Sequence, residues 1–158
     1  MFREVSRKNR ALSKEECILL LKNEKRGVLS LIGDNGYPYG LPMNHFYNEE
    51  DGKIYFHSGK KGHKVDALRN CNKASYCVYD SGYRNDGEWA LNIKSAIAFG
   101  KIEIVEDYQK LIDICRKLSY KFTEDSSYIE KELLNDGPKT LCFALNIEHL
   151  TGKIINEA

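Results

Sequence analysis

Tyr55-Phe56-His57-Ser58-Gly59-Lys60-Lys61-Gly62-His63-Lys64-Val65-Asp66-Ala67-Leu68 is the stretch around which this chain is read. It passes from a short apolar alternation (Ile54, Phe56) through a loop with two glycines and three lysines into a predicted helix. The arrangement suits a dianionic phosphate. Ser58 offers a hydroxyl, Gly59 and Gly62 admit close backbone approach, and Lys64 stands near the first turn of the helix. Backbone N–H groups and the dipole at a helix start favour an anion, and a lysine adds the compensating charge. A solvated turn is the alternative reading of the same residues.

The totals narrow the setting. At 158 residues one domain is expected, residues 1–158, with 1–12 as a mobile or docking N-terminal arm. A net charge of +1 argues against a polyanion partner, so no nucleic acid is expected. No apolar run reaches the roughly 20 residues needed to span a bilayer, so no membrane partner is expected. The first ten residues are charged and lead into no apolar signal region. The five cysteines (Cys17, Cys71, Cys77, Cys115, Cys142) are odd in number and form no Cys-x-x-Cys pair, which predicts reduced, buried thiols and a cytoplasmic address. The four histidines are not at metal-ligand spacing, so no metal site is expected.

Outward from the loop, Ser13 and Glu16 fit a capping box for a helix that ends near Arg26-Gly27. Val28–Ile32 reads as a buried strand. Asn35-Gly36 marks a hairpin turn, and Tyr37–Tyr47 returns as a strand whose Pro38 and Pro42 leave one side open or interrupted. Lys53–His57 precedes the loop, and a short helix, about Lys64–Arg69, follows it. Ala74–Tyr79 is a further strand and Asp80–Glu88 a loop. Leu91, Ile93, Ile97 and Phe99 alternate along a long strand whose apolar parity changes beyond Gly100 to Ile102 and Ile104, which predicts a bulge there. Asp107–Phe122 is a clear amphipathic helix, Ser127–Leu134 a second, and Leu141–Ile147 opens a last strand reaching Lys153. The fold class is α+β, with a small, mainly antiparallel six-stranded barrel favoured over a sandwich.

Four blocks extend the argument: Gly27-Val28-Leu29-Ser30, Gly36-Tyr37-Pro38-Tyr39-Gly40-Leu41-Pro42-Met43-Asn44, Ile54–Ser58 with Gly62-His63-Lys64, and Leu150-Thr151-Gly152-Lys153. In this order the chain resembles the split-barrel flavin-binding family related to pyridoxamine 5′-phosphate oxidase, and more closely its nitroimidazole-resistance subgroup. The resemblance implies a split β-barrel with flanking helices, FMN as cofactor with FAD as the alternative, and a homodimer with the flavin at the interface. It implies phosphate contacts at Ser58, Gly62, His63 and Lys64, with His57 flanking them. The ring would lie near Leu29, Ser30, Pro42, Met43 and Asn44, mostly through backbone groups, with Trp89 and Ser95 contributed across the interface. His45, directly after Asn44, is the candidate catalytic side chain, a proton donor or anion holder if its ring faces the flavin, or else a hydrogen-bonded strand histidine. His149 is read as structural. Oxidases of vitamin B6 carry a C-terminal arginine-rich motif. This chain has no arginine after Arg116, so that activity is not expected.

The implied function is an FMN-dependent oxidoreductase that reduces a small organic acceptor, for instance a nitroaromatic such as a nitroimidazole. NADH or NADPH would serve as transient donor, since no Gly-x-Gly-x-x-Gly element is present. The alternative is a non-catalytic flavin- or haem-binding or sensing protein on the same barrel. A tyrosine-lined barrel for single-stranded nucleic acid is a third reading, disfavoured by the near-neutral charge.

Overall fold

The computed structural model describes residues 1–157. The elements run α1 (Lys14–Asn23), β1 (Arg26–Ile32), β2 (Pro38–Asn44), β3 (Phe46–Asn48), β4 (Lys53–Gly59), α2 (His63–Asn70), β5 (Lys73–Tyr79), β6 (Asn92–Ile104), α3 (Tyr108–Ser119), α4 (Ser126–Asp136) and β7 (Thr140–Asn156). The strands form one sheet in the order β2-β1-β5-β6-β7-β4-β3, every neighbouring pair antiparallel.

That order closes the sheet on itself. β2 and β3 lie at opposite edges, yet only His45 separates them in the chain. The two edges must therefore meet at His45, which curls the sheet into a split barrel. The six expected strands become seven because the predicted Tyr37–Tyr47 strand breaks at this residue. Pro38 and Pro42 sit on β2, which pairs only with β1 and leaves its other side as the sheet edge.

Local chemistry sets the element ends. Ser13 and Glu16 complete the capping box of α1, each side chain bonding the other's backbone N–H. The helix stops at Asn23, before the predicted Arg26-Gly27, because those two residues already pair with Asn44 and Met43. At the first hairpin Asn35 (φ 58°) and Gly36 (φ 77°) both take the left-handed conformation that Asn-Gly accommodates. Asp107 and Asp125 cap α3 and α4. Residues of the N-terminal arm lie against β7: the Leu12 N–H donates to Gly152 O (2.9 Å), and Ala11 bridges to Lys153.

The barrel interior holds Leu29, Leu31, Ile54, Phe56, Tyr76 and Phe143, with Phe56 stacked on Phe143 (centroids 5.3 Å) and edge-on to Tyr76 (4.9 Å). Burying each such side chain stabilises by roughly 1.5–3 kcal/mol. A second cluster forms outside the barrel, where Tyr55, Cys142 and Ala144 lie beneath Leu111, Ile114 and Cys115 of α3. Cys17, Cys115 and Cys142 are buried, Cys71 and Cys77 half-buried, and all five are free thiols.

Two sequence expectations change on β1 and β6. Val28–Ile32 is buried on one face only: Leu29 and Leu31 point inward while Val28 and Ile32 are exposed. On β6 the inward residues are Ala96, Ala98, Gly100 and Ile102, a single unbroken parity. Ile97 and Phe99 face out. The change in apolar parity therefore marks an apolar outer face. The register does slip between Phe99 and Gly100, but the extra residue is Glu148 on β7. Gly100 is required there because a Cβ would collide with the Asn146 backbone. The small Ala96 and Ala98 leave interior room for the rings of Phe56, Tyr76 and Phe143.

Candidate functional site

The loop after β4 is open on its concave side. Gly62 precedes α2 at φ 113°, a conformation that excludes other residues, and a Cβ on Gly59 or Gly62 would meet no atom within 4 Å. No side chain caps α2. The N–H groups of Val65 and Asp66 return to Gly62 O, while those of His63 and Lys64 have no partner among the described residues. Lys64 is half-buried; its ammonium approaches Met43 Sδ (3.5 Å) and pairs with no carboxylate among the described residues. Burial lowers its pKa. His57 titrates below its ordinary value, first through burial and then through the Lys64 charge. Its ring is open to solvent at the rim yet crowded by its neighbours.

The remaining loop side chains are partly committed. The Ser58 hydroxyl donates to Gly59 O (2.8 Å). His63 Nε2 accepts from the Asp34 N–H (3.4 Å), and its ring stacks on Tyr39 at 4.2 Å, which fastens the loop to the β1–β2 turn. The exposed Lys60 donates to Pro138 O (2.6 Å).

His45 is not a surface group. It is 0% exposed, its Nε2 donates to Leu21 O (2.7 Å), and its Nδ1 lies 2.8 Å from the Tyr76 hydroxyl, which also reaches Met43 O (2.8 Å). Burial, with a smaller effect of the Lys121 charge, lowers its pKa to about 4. Of the two readings of His45, the structure shows the hydrogen-bonded histidine, buried rather than on a strand surface, with both nitrogens engaged inside the seam. Lys121, which the sequence reading did not single out, donates to Glu24 O (2.6 Å) and to the His45 carbonyl (2.9 Å). Burial lowers its pKa to about 8. Only its place at the end of an amphipathic helix hinted at such a role.

The predicted cofactor residues fall into three groups. Met43, Asn44, His57, Ser58, Gly62, His63 and Lys64 gather where β2, β4 and the start of α2 meet at the seam. Leu29 points into the core, with its backbone between two partner strands, so it has little to offer a ligand. Ser30, Pro42, Ser95 and Trp89 lie on the outer surface, and β6 stands three strands from β2 in the sheet order. Trp89 is 75% exposed. Within one chain, Trp89 and Ser95 do not join the seam group.

Beside the seam, a cavity of about 310 Å³ opens between the α3–α4 hairpin and the barrel. Asn44 and His57 form its barrel side; Leu118, Phe122, Ile129 and Glu132 are among the helical residues facing them. Arg26 Nε donates to Asn44 Oδ1 (2.9 Å) at its edge. The sequence reading treated both helices as packing elements and missed this chamber, since the apolar stripe that packs α3 also lines it.

A half-buried cation beside an uncapped helix start, at the split of a curled antiparallel barrel, defines a split-barrel protein suited to an anionic ligand. The profile of the family described as pyridoxamine 5′-phosphate oxidase matches residues 13–154, and the chain belongs to that family. Among curated proteins there is no match. A candidate 5-nitroimidazole antibiotic resistance protein from Bacteroides thetaiotaomicron superposes with a TM-score of 0.77 at 20% identity, over 92% of this chain and 87% of its own. A FAD-binding protein from Mesorhizobium loti gives 0.65 at 23%, over 92% and 97%. The FAD and heme binding protein of Mycobacterium smegmatis gives 0.71 at 21%, over 90% and 71%. At these identities the likeness is one of fold.

Proposed function

We propose that the chain binds a flavin, FMN in the first instance, as a homodimer and uses it to reduce a small organic acceptor such as a nitroaromatic. The observation that carries the reading is Lys64: a half-buried ammonium without a counter-ion among the described residues, beside N–H groups at the start of α2 that also lack partners there. A terminal phosphate fits that gap in charge and in hydrogen-bonding capacity. Gly59 and Gly62 leave the room it needs. The flavin, when bound, supplies the two-electron chemistry, with NADH or NADPH as donor.

The chain's own part is placement. Lys64 and the α2 N–H groups hold the phosphate, and His63 keeps the loop against the β1–β2 turn. His57, whose charged form burial and the neighbouring Lys64 disfavour, presents a hydrogen-bonding ring beside the seam. The apolar outer face of Val28, Ile32, Ile97 and Phe99 supports pairing with a second copy. That pairing would bring a partner's Trp89 and Ser95 regions toward the ring.

The engagement of His45 within the seam supports a second reading, a flavin- or haem-binding protein without turnover, because both nitrogens of the acid–base candidate the sequence offered have partners within the chain. The visible spectrum of the purified protein, followed by heat release of the cofactor, tests the first step. Flavin bands and released FMN are expected, and Lys64→Ala weakens FMN binding about ten- to a hundredfold. A colourless protein that takes up no added FMN would refute the proposal. Oxidation of NADH or NADPH with added nitroaromatic then separates an enzyme from an inert carrier.

A further inference from the structure

We propose that the chamber between the α3–α4 hairpin and the barrel receives the electron acceptor, and that it selects a small cationic or neutral aromatic over an anionic one. This rests on the flavin reading above and adds to it a place and a charge preference for the substrate. The chamber measures about 310 Å³, at the small end of the roughly 300–1,000 Å³ typical of ligand pockets. Leu118, Ile129 and Leu133 give it apolar walls and Phe122 an aromatic one, sized for a single substituted ring.

The polar groups are arranged by side. On the barrel side, the His57 side chain makes no hydrogen bond among the described residues and also neighbours Lys64, so its ring is free to contact an acceptor beside the proposed cofactor site. On the helix side stand Glu132 and Asp136, four residues apart and therefore on one face of α4. Glu132 has no hydrogen-bond or ion-pair partner among the described residues, and the Asp136 carboxylate receives only the Lys139 ammonium at 3.4 Å.

Among the described residues no lysine or arginine lines the chamber. The cations around it are otherwise engaged: Lys139 pairs with Asp136, Lys60 donates to Pro138 O, Arg26 donates to Asn44 and, with Lys25, lies over the Phe122 ring, while Lys64 would be matched by the phosphate when flavin is bound. An anionic acceptor therefore meets the unpaired Glu132 carboxylate and an Asp136 offset only by the exposed Lys139, whereas an amine-bearing ring is attracted to both.

The test uses three near-isosteric probes, 4-nitrobenzylamine, 4-nitrobenzyl alcohol and 4-nitrobenzoate, titrated calorimetrically into the flavin-loaded protein. The amine is expected to bind at least about tenfold more tightly than the benzoate, with the alcohol between them. Glu132→Gln combined with Asp136→Asn should bring the amine and benzoate to within about twofold, with FMN affinity unchanged. Leu133→Trp, which fills the chamber, should weaken all three and leave FMN affinity unchanged, and it serves if the double variant does not fold. Benzoate binding as tight as that of the amine, or a preference that survives the double substitution, overturns the proposal. If the protein takes up no flavin but the flavin-free protein shows the same probe order, the flavin reading is overturned and the chamber's selectivity stands.

Discussion

His45 shows how a single residue's role follows from its surroundings. Adjacent to Asn44 in the chain, it had the chemistry of a proton donor. Burial in the seam, with Leu21 O on one nitrogen and the Tyr76 hydroxyl on the other, makes it a neutral strut. Its proton affinity then enters stability. The unfolded chain binds this proton with a pKa near 6.5 and the folded chain near 4. Between those values the unfolded state holds more protons. The contribution is therefore complete above pH 6.5 and is lost as pH falls toward 4, by about 3 kcal/mol at most. Urea unfolding of the wild type and of His45→Gln across pH 7.5 to 4.5 should show the gap between them narrowing with acid. A constant gap would mean that some other group governs the acid response. Lys64, by contrast, stands out in the sequence as a lysine in the first turn after Gly62, while its half-burial against Met43 comes from β2, far away in the chain.

At the scale of elements, local chemistry was read well and pairing poorly. The capping box, the Asn-Gly turn and the amphipathic period of α3 are written in residues a few positions apart, and each appears in the structure. The start of α2 depends equally on local geometry. Gly62→Ala forces φ near 113° on a residue with a Cβ, a strain of roughly 1–3 kcal/mol. Thermal unfolding should register that loss, and FMN affinity should fall with it as the first turn of α2 shifts. An alanine variant with unaltered stability and affinity would show that the loop tolerates another backbone path. The break between β2 and β3 was not legible. Tyr37–Tyr47 is extended throughout, and only pairing with opposite sheet edges divides it.

The whole molecule decides which apolar residues are core. Ile97 and Phe99 alternate like interior residues, yet each remains 37% exposed, as does Val28, on a face shared by β1 and β6. If that face joins two copies, Ile97→Lys should yield monomers in sedimentation at concentrations where the wild type is dimeric, with weaker flavin retention. A variant that stays dimeric and keeps its flavin would move the interface elsewhere. Trp89 and Ser95 depend on the same outcome, since within one chain they lie apart from the seam.

By itself the sequence determined the α+β class, the capping box of α1, the Asn35-Gly36 turn and the existence of the glycine-lysine loop, because each depends on neighbours along the chain. Only the tertiary structure decided that the sheet closes at His45, that Val28, Ile32 and Ile97 are surface, and that Asn44 and His57 share a chamber with α3 and α4. Those facts follow from which strand edges meet and how tightly the sheet curls. Long-range pairing fixes both, and hydrophobic period within a single strand cannot tell an interior face from an apolar outer one.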